Sequence, residues 1–128
     1  MIKVAAWLAI VFGALLSVLE ALRNWGDWQW WPFWTVDYLA AALLVAGGAL
    51  ALRSRNTAVL TAGWGFAAAM FWMSFFGHLD GVRRSAAAAD PTDTRLTTII
   101  GALFAITIIG LVLSLASGLR ASPVSRRQ

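Results

Sequence analysis

A chain of 128 residues with 60 % hydrophobic and only 12 % charged side chains carries too much apolar surface for a soluble domain, where roughly a quarter of residues are charged. Its net charge of +4 comes from ten Lys and Arg against six acids, with no basic helix bearing base-reading groups, so nucleic acid is excluded as a partner. Cysteine is absent, which removes disulfides, thiolate chemistry and Cys-held metals.

The first apolar run follows Lys3, is free of charge from Val4 to Leu19, and predicts a membrane helix over about 3–23. A basic residue ahead of an apolar run also opens a signal peptide. This run exceeds the roughly 7–15 residues of such a core, and no small-residue cleavage site precedes a polar domain, so a retained helix is expected. Glu20, Arg23 and Asn24 stand at i, i+3 and i+4 and share one helix face. Gly13 and Ser17 continue that face, so its polar groups are expected to point into a bundle.

The connection that follows holds Trp25, Trp28, Trp30, Trp31 and Trp34, with Phe33 and Tyr38. Tryptophan collects where an apolar ring meets lipid and its N–H meets water, so an outer aromatic belt is expected. Five tryptophans in one connection exceed what anchoring requires. The stretch is therefore also a candidate platform for a hydrophobic ligand, a lipid or a partner protein. Pro32 is expected to keep the connection from continuing as helix.

A second helix is expected over 36–53, with Asp37 at its start and small residues at Ala40–Ala42 and Gly47–Gly48. The short link "RSRN" imposes an antiparallel hairpin with a third helix over 57–78. That helix offers small stripes at Thr61, Gly65 and Ala69 and at Gly63 and Ala67, and ends on His78, one turn after Ser74. Asp80-Gly81 reads as a turn. The stretch "RSAAAAD" suits one helical turn, broken by Pro91. Thr92 to Thr94 would then lead, with a Thr or Asp cap, into a fourth helix over 96–118. This last helix carries Gly101-x-x-x-Ala105 and Gly110-x-x-x-Ser114-x-x-x-Gly118, spacings that let helix backbones approach closely in lipid. The first two helices do not resemble the last two, which weighs against an inverted-repeat transporter within one chain.

The expected fold is all-α: an integral membrane antiparallel four-helix bundle in one domain over 1–119, with a short basic tail over 120–128. With both termini in the cytoplasm, six positive residues and no acid lie inside, and four positives with all six acids lie outside. Counting Lys and Arg alone favours that orientation, and a bacterial inner membrane is the expected location. Membrane lipids are the expected partners; other membrane proteins or a second copy of the chain are further candidates.

Glu20, Asp37, His78 and Asp80 fall at a similar depth at the outer end, beside Arg23 and Asn24. Carboxyl groups with a histidine can do acid–base work, and an ionisable residue inside a membrane marks a candidate site. The prospective ligands come from separate helices without a local spacing, so no metal is assigned. Met70 and Met73 share a helix with His78 and cannot reach the opposite face of a haem, so no cofactor is assigned. Three functions remain: a non-catalytic interaction subunit in the membrane, a small membrane enzyme or hydrophobic-ligand-binding protein using the outer cluster, and a dimeric proton-coupled exporter built on Glu20. The absence of a catalytic signature puts the first ahead.

Overall fold

The computed structural model describes residues 1–27, 30–84 and 91–121. They form α1 (Ile2–Arg23), α2 (Trp31–Ser54), α3 (Ala58–Arg84) and α4 (Pro91–Ala121), and no strand occurs among them. All four helices are long and apolar enough to cross a membrane. They pack as an antiparallel bundle in chain order. The pairs α1–α2, α2–α3 and α3–α4 are closely packed, and the seam between α4 and α1 is the loosest.

Three helices are longer than their sequence patterns suggest, and each extension has a local cause. The second starts at Trp31 instead of residue 36, because Pro32 falls in the first turn. Proline lacks an N–H, and first-turn N–H groups have no intrahelical partner, so Pro32 begins a helix here and does not prevent one. The third continues past His78 to Arg84. Asp80-Gly81 makes no turn, and Arg84 Nη2 meets Asp80 Oδ2 at 2.8 Å one helical turn on. The fourth begins on Pro91, with Asp93 in its first turn where the helix dipole favours an acid, and runs through Arg120 to Ala121. The link at 85–90 and the tail from 122 lie outside the described residues.

The α2–α3 hairpin is held by Arg55 and Asn56. Arg55 caps α2 in the left-handed conformation at φ 56°, and its N–H donates to the Ala51 carbonyl. The Asn56 side chain then accepts the Ala58 N–H at 2.9 Å and opens α3.

The interior is small and partly polar, and the exterior is large and apolar. On α1, Ala5, Ala9, Gly13, Leu16 and Glu20 are buried, while Val4, Trp7, Val11, Leu15, Val18 and Leu22 form the exposed stripe. On α4, Thr107, Ser114 and Ser117 are buried, and Ile108, Val112, Leu115 and Leu119 are exposed. That inversion suits a lipid solvent, which rewards close backbone contact over apolar burial. The buried hydroxyls bond back to their own helix, Thr107 to Phe104 O and Ser114 to Leu111 O, so packing joins the helices. Gly48 shows the fit: a methyl group there would lie 2.6 Å from the Ala6 carbonyl oxygen. Gly13, Gly47, Gly63, Gly101 and Gly110 likewise face neighbouring helices of the same chain, and Gly118 faces Thr57 in the α2–α3 turn. Trp64 fills the centre, fully buried against Phe12 and Gly110.

Candidate ligand-binding site

The inward face of α1 brings Glu20 and Asn24 into the bundle one turn apart. Glu20 is 5 % exposed and Asn24 is 1 % exposed. The Asn24 side-chain amide donates to Glu20 Oε1 at 2.6 Å and to the Glu20 carbonyl at 2.9 Å. These contacts compensate a carboxyl group placed where water is scarce. Arg23 reaches Glu20 Oε2 only at 3.9 Å, with a side chain that is 63 % exposed. Held so loosely in solvent, this ion pair contributes little.

Asp37 enters from α2. Because that helix already begins at Trp31, Asp37 lies in its second turn, half-buried, and its carboxyl group faces the same cavity as that of Glu20.

Both carboxyl groups line a cavity of about 430 Å³ at this end of the bundle. Arg23, Ser74 and His78 supply its other polar edges. The remainder is apolar: Leu16 and Leu19 from α1, Phe33 and Val36 from α2, Met70 and Phe71 from α3, and Leu96, Ile99, Ile100 and Leu103 from α4. Leu19, Leu96 and Ile99 are also among the exposed side chains of α1 and α4. The cavity therefore has exposed edges on α1 and α4, the two helices that meet at the loosest seam. A volume of a few hundred Å³ with apolar walls and a few convergent polar groups is the usual form of a small-ligand site.

His78 Nδ1 lies 2.8 Å from the Ser74 carbonyl oxygen. A carbonyl only accepts, so Nδ1 carries the proton and Nε2 is the nitrogen left for other contacts. Asp80 does not line the cavity; it is exposed and paired with Arg84. The structure thus brings together Glu20, Arg23, Asn24, Asp37 and His78, and leaves Asp80 outside. Among the described residues no three His, Asp or Glu side chains are grouped to hold a metal ion.

The tryptophans divide between two settings. Trp25 and Trp30 are exposed in the connection, Trp31 and Trp34 belong to the first turn of α2, and Trp28 lies outside the described residues. Trp30 packs edge-on against Phe33, and Trp34 against Tyr38. Among the described residues no tryptophan lines the cavity; the aromatic stretch reaches it through Phe33.

Sequence reasoning missed the α4 wall. Leu96, Ile99, Ile100 and Leu103 have the i, i+3, i+4, i+7 spacing of an apolar helix face, and every face of α4 is rich in such residues. No protein-family model, no curated protein and no solved structure matches this chain.

Proposed function

We propose that this small multi-pass membrane protein binds an amphiphilic ligand that enters from the lipid between α1 and α4. The ligand's apolar part lies on Leu19, Leu96, Ile99 and Leu103, and its polar end meets the Glu20–Asp37 pair. The observation that carries this reading is the pairing of a buried Glu20 and a half-buried Asp37 in the wall of a mostly apolar cavity. Two acids against one loosely held guanidinium favour a polar end that is a cation or a hydrogen-bond donor.

The reading as an interaction subunit rested on small-residue faces, scant extramembrane mass and the lack of a catalytic signature. The first of these is weaker, because Gly13, Gly47, Gly48, Gly63, Gly101 and Gly110 meet neighbouring helices of the same chain.

The test is a set of twelve-carbon probes (a chain length of roughly the cavity's scale) added to the protein in nonionic detergent. Dodecylamine should raise the unfolding temperature more than dodecanol or dodecanoate does. Glu20→Gln and Asp37→Asn should each remove that preference, and Asp80→Asn should keep it. Equal effects from all three probes, or an undiminished amine preference in both variants, would refute the proposal. The charge distribution further supports an inner-membrane protein with both termini in the cytoplasm. Reporter fusions after Arg84 and at the C-terminus test that orientation, and a periplasmic C-terminus would reverse it.

A further inference from the structure

The opposite end of the bundle carries a second cavity, of about 270 Å³, between Met1, Ile2, Arg55, Ser117 and Arg120. Three parts of the chain meet here: the start of α1, the α2–α3 turn and the last turn of α4. Arg55 is the only non-glycine residue with positive φ among the described residues. The left-handed position costs an ordinary side chain about 1 kcal/mol or more, and glycine usually takes it. Here it carries an arginine on the cavity wall. Arg120 Nη1 makes its one recorded side-chain contact with the Met1 sulfur, at 3.0 Å, which is a weak acceptor for a guanidinium. The Ser117 hydroxyl donates to the Leu113 carbonyl. Neither arginine has an acidic partner among the described residues, and the acids whose contacts are described lie at the other end.

We infer that Arg55 and Arg120 together hold the phosphate of an anionic phospholipid. Two arginines bordering one small cavity offer the paired N–H donors that a phosphate diester accepts. The lipid source follows from the surroundings. Ile2 forms an apolar wall, and Leu119, next to Arg120 in the last turn of α4, is 78 % exposed. A phosphate seated here leaves its acyl chains on that apolar surface, as at other basic sites between membrane helices. This site is separate from the acidic cavity and does not depend on its ligand.

Native mass spectrometry of the protein released from mild detergent, with phosphatidylglycerol or phosphatidylcholine added, tests the assignment. The wild-type protein should retain phosphatidylglycerol in preference to phosphatidylcholine. Arg55→Gln and Arg120→Gln should each lower that retention about fivefold, the effect of roughly one basic contact. Arg53→Gln removes a charge from the same end without touching the cavity and should leave retention unchanged. Arg120→Lys keeps the charge, controls for folding, and should fall between wild type and Arg120→Gln. Equal losses in all three Gln variants would mean diffuse charge attraction and overturn the site. Equal retention of phosphatidylcholine would overturn it too. Displacement of the lipid by glycerol phosphate at matching concentration would assign the site to a soluble phosphate and refute the lipid.

Discussion

The side-chain amide of Asn24 donates to Glu20 Oε1 at 2.6 Å, one turn along α1, and both residues are buried. The amide also reaches the Glu20 backbone carbonyl, so Asn24 fixes the rotamer of the acid and closes the end of the helix. Removing it leaves a buried carboxyl group with one partner fewer. Asn24→Ala should lower stability by about 1–3 kcal/mol, the range for a buried polar group that loses its partner. Reversible unfolding in mixed micelles measures this. Asn24→Gln, which cannot make the same two contacts, should recover little of the loss.

Filling the cavity tests its role independently of charge. Ile99 lines the cavity from α4 and is half exposed toward the lipid side, so a larger side chain there can occupy the opening without entering the core. Ile99→Trp should block binding of an amine-headed amphiphile, with the Glu20–Asp37 pair intact. A melting curve unchanged without ligand, together with a lost dodecylamine shift, is the expected result. A retained shift would move the binding site elsewhere.

Asp80 provides the contrast. It shares its helix and its end of the bundle with His78 but is exposed, and its partner Arg84 is 80 % exposed at the side chain. Exposed pairs at i, i+4 contribute about 0.5 kcal/mol or less. Asp80→Asn should therefore change neither thermal stability nor amphiphile binding measurably. A large binding loss in that variant would bring Asp80 into the site after all.

The reach of the sequence can be judged from individual residues. Glu20 and Asn24 were readable as an inward pair from helical spacing, whereas Arg23, expected on the same face, turns out exposed. Asp37 was readable as a member of the same outer cluster, at the depth of Glu20 and His78. Its place in the second turn of α2 was not readable, because Pro32 is compatible with both a loop and a helical first turn. Asp80 was misplaced for a related reason: Asp-Gly suggests a turn, yet in α3 the Asp80–Arg84 pair and the absence of a breaker before Arg84 keep the helix going. The apolar α4 wall left no mark in the sequence, because residues facing the cavity and residues facing lipid are the same kinds of residue. Small-residue spacing showed that helices would pack closely but not whether the partner lay in the same chain. Only the position of each glycine against its neighbour decides that.

Gly48 and Gly77 make that last distinction measurable. A methyl group at Gly48 would lie 2.6 Å from Ala6 O and 2.8 Å from an Ile10 side-chain carbon, so α1 and α2 would have to separate. Gly48→Ala should destabilise the bundle by about 1–3 kcal/mol, as other overpacked sites do. Gly77 is helical and has nothing within 4 Å of where its methyl group would stand. There the alanine only restricts the unfolded chain, and Gly77→Ala should stabilise by about 0.5–1 kcal/mol. Thermal unfolding of the two variants in one detergent gives both signs. If Gly48→Ala is neutral, the α1–α2 contact is looser than the geometry shows. If Gly77→Ala destabilises instead, that exposed face of α3 packs against a partner, and the interaction-subunit reading regains its support.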